Sequence, residues 1–321
     1  MKKTFFLGAV LSAALCLIFS SCEKSVSDVD QPEGEKSGQV YNVNIGFGGE
    51  YISSTEIPLT KALKNTSRKV YAINVYRKTP DAKSYSKYAY GLFDNVKSLT
   101  IPLSDAYVYK FECAIVKEDR DTLYNKEGLY ANPFKHNGIE DTELTNKFVF
   151  STSQNFDGLK SGVTTIAADT DVDYPRMYRY YGETTEFVPA EGASIELQMK
   201  KMVFGLHFLV EPPTEGEMEL SCFMTNFKVS SFDKPYDDEA VYTFYNIEKC
   251  FQDLNYSGNI TLRLNWTKSD GTVEKEEKKI QIKRNTMTII KIDVNGGAFS
   301  PSFRFEEETQ PMDTVQVNWN V

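Results

Sequence analysis

Apolar and polar side chains alternate along short segments of this chain, and that alternation is its main structural signal. In residues 202–210 every second position is apolar, namely Met202, Phe204, Leu206, Phe208 and Val210. Because successive side chains of a strand point to opposite faces, this period of two predicts a strand with one buried face. The 3.6-residue period of long helices is absent from the sequence, and we expect one short helical piece within 238–254.

Segments of this kind recur along the chain and are bounded by Gly, Pro, Asn or Asp, which favours an all-β protein. The predicted strands are 40–47, 69–76, 98–103, 107–116, 147–150, 194–199, 202–210, 218–230, 259–266, 272–282, 287–294 and 314–321. Asp270-Gly271 predicts a hairpin turn, since these residues tolerate positive φ angles. An acidic, turn-rich stretch near 175–193 predicts a boundary between two β-sandwich domains, 38–182 and 183–321.

The N-terminus has the pattern of an export signal. Lys2 and Lys3 precede an apolar run over residues 5–19, and Ser20 and Ser21 lead into Cys22. The run is short for a membrane span, so residues 1–21 are predicted to be a signal peptide. Small residues directly before a cysteine resemble a bacterial lipobox, which predicts that Cys22 carries the lipid. The alternative is an ordinary secretory signal that happens to contain a cysteine.

Residues 22–37 are predicted to be a flexible tether, because they are rich in acidic residues and have almost no apolar ones to bury. An acidic stretch directly after a lipidated cysteine resembles the surface-export signal of Bacteroidales lipoproteins, whereas the alternative is a plain spacer. The sequence thus predicts an outer-membrane protein that is lipid-anchored and exposed at the cell surface. The formal net charge of −9 argues against nucleic acid as a partner.

Catalytic chemistry is not indicated, and no enzyme activity, metal or cofactor is expected. The chain has 2 His, and it contains no nucleophile-elbow, zinc-protease or phosphate-loop motif. Three carboxylates alternate in residues 169–173, but Gly and Glu are missing where a calcium-binding EF-hand loop needs them, so we interpret the segment as an acidic turn. Cys16 leaves with the signal and Cys22 carries the predicted lipid, so Cys113, Cys222 and Cys250 remain, and whether Cys222 pairs with Cys250 stays open.

Three motifs occur in an order that resembles a known family. The run Asp-Tyr-Pro-Arg-Met-Tyr-Arg-Tyr-Tyr-Gly spans 173–182, a strand with Ile-Glu-Leu-Gln-Met-Lys follows from 195, and Lys-Arg-Asn begins at 283. This arrangement is similar to the fimbrillin-like lipoproteins of Bacteroidales, whose subunits build or anchor pili. The resemblance implies two tandem transthyretin-like β-sandwiches. The sequence departs from the family pattern at 200–202 and Gly205, where Arg and Ala are usual.

In such pili, as the resemblance implies, a processed subunit lacks one strand and a neighbour's C-terminal strand fills the gap. The candidate donor strand lies in 313–321, where the side chains of one face are Val315, Val317, Trp319 and Val321. The alternative is a final strand that belongs to its own domain. Arg68 and Lys69 are the candidate processing site, since a cut there would free residues 40–47, whereas the alternative is a loop with incidental charges.

The expected role is therefore a structural or accessory subunit of a pilus, either anchor or tip, whose partners are other fimbrillin-like subunits. An alternative is a surface lipoprotein that binds glycans or a host ligand. This alternative rests on Tyr178, Tyr180 and Tyr181, because exposed aromatic rings can stack on sugars.

Overall fold

The structure, a computed structural model, describes residues 38–51, 68–121, 128–130, 133–135, 142–160, 164–166, 170–172, 176–222, 225–295 and 304–311. Segments 164–166, 170–172 and 304–311 are described through their backbone alone. These parts of the chain contain eighteen strands and a single α-helix of six residues. The prediction of an all-β protein is confirmed. The helix lacks the length and apolar character needed to cross a membrane.

The first ten strands lie before residue 202. They are β1 (Val40–Gly49), β2 (Lys69–Lys78), β3 (Ser86–Phe93), β4 (Thr100–Ser104), β5 (Val108–Glu118), β6 (Val149–Phe150), β7 (Thr164–Ile166), β8 (Thr170–Val172), β9 (Met177–Phe187) and β10 (Ser194–Lys201). β7 and β8 pair only with each other, while the other eight form one sheet in the order β4-β1-β10-β9-β5-β2-β3-β6.

This sheet folds over at β10. The first six residues of β10 pair in parallel with β1, and its last two, Lys200 and Lys201, pair antiparallel with β9. Strand β10 therefore belongs to both halves of the folded sheet. The two halves enclose a core to which β1 and β4 contribute Val43, Ile45 and Ile101, and β2 and β5 contribute residues such as Ile73 and Phe111.

The remaining strands form two further sheets. Their elements are β11 (Val203–Val210), β12 (Glu217–Cys222), β13 (Thr225–Ser230), β14 (Tyr236–Thr243), α1 (Ile247–Gln252), β15 (Ser257–Thr267), β16 (Val273–Lys283), β17 (Thr286–Asp293) and β18 (Arg304–Pro311). The strand orders are β14-β11-β17-β18 and β13-β12-β15-β16. Side chains from both sheets, among them Phe204 and Leu264, share one core, as expected for a sandwich.

The second core does not end with this sandwich. It continues to the outer face of the first sheet, where Ala72 and Val116 are buried beneath Tyr130, Phe134 and Phe156. The central strands β2 and β5 are therefore buried on both faces. One continuous apolar cluster joins the two parts of the folded chain.

Several strands differ from the prediction. The predicted strand 218–230 is in fact two antiparallel strands, β12 and β13, in which Cys222 pairs with Thr225. Strands β3, β7, β8, β9, β14 and β18 were not predicted. The short helix lies within 238–254 as expected, with Asn246 as its N-cap accepting a bond from the Lys249 amide. The turn at Gly271 joins β15 to β16 as predicted, with a φ of 85°.

The predicted domain boundary at 182/183 falls inside β9, and residues 189–192 of the predicted boundary stretch form the turn between β9 and β10. The chain leaves the first sheet after Lys201. At that point the Met202 amide donates to the Arg179 carbonyl, at 2.8 Å. A division into two domains stays a prediction, and the change of sheet at 202 is the natural place for it.

Candidate functional site

Strand β1 occupies an interior position in the first sheet, although it is the first strand of the described chain. It pairs with β4 on one side, from Val40 to Asn44, and with β10 on the other, from Asn44 to Gly49. Its inward side chains, Tyr41, Val43, Ile45 and Phe47, contact the core, and Val43 and Ile45 are fully covered. The position therefore accepts a strand with apolar side chains at alternate residues.

The chain that leaves β1 is fixed by three consecutive residues. Gly49 has a φ of 74°, and the Glu50 amide donates to the Met199 carbonyl at 2.8 Å. Tyr51 is buried, and its hydroxyl lies 2.7 Å from that of Tyr71. Its ring also meets Tyr180 edge-on, with centroids 5.3 Å apart. The end of β1 is thus held by polar and aromatic contacts in addition to the strand pairing.

Glu50 also reaches the second part of the chain through a forked ion pair. Arg284 Nη1 donates to Glu50 Oε2 at 2.7 Å, and Arg284 Nη2 donates to Oε1 at 3.0 Å. The same Oε2 accepts a bond from the Lys201 amide at 2.7 Å. Arg284 lies in the turn between β16 and β17, so this contact ties β1 to the sandwich formed by residues after 202.

The candidate processing site lies at the start of β2. The Arg68 carbonyl accepts a hydrogen bond from the Glu118 amide at 2.9 Å. The guanidinium carbon of Arg68 lies 5.9 Å from the centre of the Tyr130 ring. Lys69 is the first residue of β2 and pairs with Lys117 of β5. A protease could reach the peptide bond between Arg68 and Lys69 only if this segment came away from β5. Processing at Arg68 and Lys69 stays a prediction.

The lipidation residue Cys22 and the candidate donor residues Val315, Val317, Trp319 and Val321 lie outside the described residues. The last described strand, β18, pairs antiparallel with β17 and ends at Pro311 opposite Thr286. The candidate donor segment therefore begins just after a strand that the sequence did not predict.

The tyrosine cluster behind the glycan alternative packs at the junction of the two parts of the chain. Tyr181 is fully buried and meets Phe251 edge-on at 4.9 Å, while Tyr180 packs against Tyr51. Tyr178 is partly covered, and burial raises its pKa above the ordinary value for a tyrosine. These rings do not form an open platform for a sugar, so the alternative loses the feature on which it rested.

The remaining side chains that could take part in catalysis or metal binding are cysteines and a histidine, and their contacts are typical of structural residues. Cys113, Cys222 and Cys250 are free, buried thiols, and burial raises the pKa of Cys222 and of Cys250 to about 12. His207 contacts Asp237, with 2.7 Å between Nε2 and Oδ1. Among the described residues no cluster of His, Cys, Asp or Glu could hold a metal ion. The segment 169–173 was interpreted as an acidic turn, but its residues 170–172, described through their backbone alone, form strand β8.

Arg284 and Asn285 belong to the Lys-Arg-Asn motif that begins at 283, but the sequence did not indicate their structural roles. Asn285 takes a φ of 51°, and its amide donates to the Val203 carbonyl at 2.7 Å. This geometry turns the chain and directs Arg284 toward Glu50. Glu50 gave no signal in the sequence, because its partner lies 234 residues further along the chain.

Comparison with known proteins gives no match to a family model and none to a curated protein. Solved structures do match. A "putative cell adhesion protein" from Bacteroides eggerthii is 10% identical, with a TM-score of 0.41 over 85% of this chain and 96% of its own. The fimbrial anchor protein Mfa2 from Porphyromonas gingivalis is 11% identical, with a TM-score of 0.35 over 86% and 98%.

A fimbrial assembly protein from Parabacteroides distasonis is 12% identical, with a TM-score of 0.33 over 86% of this chain and 97% of its own. These three similar structures are named as adhesion and fimbrial proteins.

Proposed function

We propose that this protein is a cell-surface, fimbrillin-like lipoprotein that serves as a structural or accessory subunit of a pilus. It works by exchange of β-strands with neighbouring subunits and performs no catalysis. The observation that carries the proposal is the interior place of β1 between β4 and β10. Once β1 is released, a strand from another chain can take its place and pair with the same main-chain groups of β4 and β10.

Strand replacement would use the main-chain groups of β4 and β10. Neighbouring strands lie about 4.8 Å apart, so loss of β1 would leave a gap of about 10 Å between them. The incoming strand would pair with both edges, and its alternate side chains would take the places of Tyr41, Val43, Ile45 and Phe47. The residues Val315, Val317, Trp319 and Val321 have the same spacing and would each contribute about 1.5–3 kcal/mol on burial.

The surroundings of β1 favour an anchor or accessory role over that of a shaft subunit. A shaft subunit must lose β1, whereas here the bond after Arg68 is tied to β5 and the end of β1 is held through Glu50 and Tyr51. An uncut chain keeps its N-terminus and, with it, the lipid predicted on Cys22. It also keeps β1, so in this role the chain would take part in strand exchange as the donor of residues 314–321, which would enter the equivalent place in a processed neighbour. We therefore place the protein at the outer membrane, lipid-anchored and facing outward through the tether 22–37.

The test is to delete residues 314–321 and to follow folding and polymerisation together. We expect the truncated protein to unfold at the same urea concentration as the full chain but to be absent from detergent-resistant, high-mass ladders formed with other fimbrillin-like subunits. Val317→Asp should have the same effect, because it places a charge on the apolar face. Gln316→Asp changes the opposite face and should leave the ladders intact.

A truncation that unfolds residues 203–295, in a protein that is always monomeric, would assign the last strand to its own sandwich and contradict strand donation. Equal loss of ladders in Val317→Asp and Gln316→Asp would also contradict it, because a donated strand distinguishes its two faces.

A further inference from the structure

We infer that Arg284 is a specificity-determining residue for the strand position between β4 and β10. The segment that fills this position is bound most stably only if a carboxylate follows its last paired residue, as Glu50 follows Gly49 at the end of β1. In the intact protein this contact couples the seating of β1 to the sandwich formed by residues after 202. The inference rests on the proposed function where it concerns a strand from another subunit.

The geometry of the contact is that of a recognition site. Two guanidinium nitrogens donate to two carboxylate oxygens, at 2.7 and 3.0 Å, and this forked arrangement is both stronger and more directional than a single bond. The Arg284 side chain is only 7% exposed, against 29% for Glu50. Water and salt therefore screen the pair less than they screen a pair on the surface.

Arg284 is held in place by groups that do not belong to β1. Its Nε donates to the Leu254 carbonyl at 3.2 Å, and its Nη1 also donates to the Lys201 carbonyl at 3.1 Å. If β1 leaves, these two bonds keep the guanidinium where it is. A buried charge then loses its counter-ion, which is far more unfavourable than the loss of an exposed pair.

The carboxylate lies at the point where the first sheet folds over. Oε2 of Glu50 accepts the amide of Lys201, and Lys201 is one of the two β10 residues that pair with β9 instead of β1. A strand seated in the gap thus places its carboxylate against β10 and the β16–β17 turn together. A strand without the carboxylate leaves both donors, the Lys201 amide and Arg284, without this acceptor.

β1 itself is the probe for the test, and the full-length protein in detergent micelles is the sample. Hydrogen exchange is followed by mass spectrometry in peptides that cover β1, β5 and the β16–β17 turn. We expect Glu50→Gln and Arg284→Gln each to speed exchange in β1 at least about tenfold, with β5 unchanged. Glu277→Gln makes the same chemical change in an exposed ion pair with Arg263 of β15 and should alter exchange in β1 less than about twofold.

A charge swap separates recognition from a local effect on the turn. Glu50→Arg and Arg284→Glu should each speed exchange in β1. In the double variant exchange in β1 should be at least about threefold slower than in either single variant, because the opposite charges face each other again. Unchanged exchange in β1 in Glu50→Gln or in Arg284→Gln would overturn the inference. So would a change confined to the β16–β17 turn, or a double variant no better than the worse single one.

The experiment uses the unassembled protein, so its result is independent of pilus formation. Faster exchange in the Gln variants together with a failed polymerisation test would keep the role of Arg284 in seating β1 and reject strand exchange between subunits. Unchanged exchange together with successful polymerisation would reject the role of Arg284 alone.

Discussion

Arg179 shows how single residues hold loops onto this protein. Its side chain is fully buried, and Nη2 donates to the carbonyls of Leu159 at 2.8 Å and Gly158 at 3.3 Å. Burial lowers the pKa of the guanidinium to about 9, because the charged form loses its hydration. The loop that ends at Lys160 is thereby fixed over β9, where its residues Phe156 and Leu159 join the core.

Tyr242 predicts how stability changes at alkaline pH. Burial is the main cause that raises its pKa from 10.0 to about 12, and its ring stacks on Phe204. Below pH 10 both the folded and unfolded states hold the proton, so this residue adds no pH dependence there. Between pH 10 and 12 the unfolded state ionises first, and the free energy of unfolding falls by up to about 1.4 kcal/mol per pH unit.

Tyr242→Phe keeps the stacked ring and removes the titrating group. Urea denaturation at several pH values should therefore show a shallower loss of stability above pH 10 in the variant than in the natural protein. Tyr245→Phe removes a hydroxyl from a half-exposed ring and serves as the control. Equal slopes in Tyr242→Phe and the natural protein would contradict the assigned effect of burial.

The three buried cysteines predict slow reaction with thiol reagents. Cys113, Cys222 and Cys250 are at most 3% exposed, and burial raises their pKa values, so little thiolate forms at neutral pH. In a form that begins at Glu23, we expect labelling at least about 100-fold slower in the folded than in the unfolded protein. The unfolded, unreduced protein should release three thiols. A count of one would show a disulfide between two of them.

At the scale of strands, the alternation of side chains was informative where a strand has one buried face. It predicted β15, in which buried residues alternate with more exposed ones, and β11, in which they alternate over the last five residues. It missed β3, which is buried on both faces over its last six residues and so lacks a period of two. It also missed β14, because Asp237, Asp238 and Glu239 are residue types that disfavour strands. The charged partners of this strand, such as His207 and Arg120, come from distant parts of the chain and leave no local pattern.

The site was less predictable than the strands that form it. The sequence identified β1 as a strand but could not place it between β4 and β10, because pairing partners far apart in sequence leave no local pattern. The same limit hid the contact between Glu50 and Arg284, which depends on two loops that only the fold brings together.

Two glycines in β1 give a prediction at this scale. A Cβ on Gly49 would lie 2.6 Å from the Met199 carbonyl oxygen, and the φ of 74° is one that other residues rarely adopt. Gly49→Ala should therefore lower the free energy of unfolding by about 1–3 kcal/mol. At Gly46 the nearest atom to such a Cβ is 3.8 Å away, so Gly46→Ala should be within about 0.5 kcal/mol of neutral. Urea denaturation of both variants is the measurement, and equal effects would contradict it.

At the scale of the whole molecule, the two parts of the chain are joined by ion pairs on either side of a shared core. Arg120 forms a forked pair with Asp238 of β14, at 2.6 and 2.8 Å, while Glu50 forms the other pair with Arg284. Between them the Thr243 hydroxyl donates to the Met177 carbonyl at 3.0 Å. A continuous core with polar contacts at its margins favours unfolding of both parts in one step.

Trp266 can test this cooperativity, because it lies in β15 and belongs to the core of the second part of the chain, not to the first core. In a Trp319→Phe background it is the single tryptophan of the chain. Ile73→Ala empties part of the first core and should lower stability by about 2–5 kcal/mol. We expect the urea transition seen by Trp266 fluorescence to shift to lower concentration. An unshifted Trp266 transition, beside a lower one seen by circular dichroism, would mean that the two parts unfold separately.

The parallel pairing of β1 with β10 sets the order in which a new molecule can be completed. Asn44 pairs with Ser194, so the partner strand emerges 150 residues after β1. Until then β1 can join β4 but has nothing on its other side, and closing so long a loop is slow. Every new molecule therefore passes through a stage in which the side of β1 that β10 will occupy is still unpaired. If subunits exchange strands as proposed, a strand from a neighbour would compete with β1 during that stage, and the time that β10 takes to arrive would decide which strand is seated.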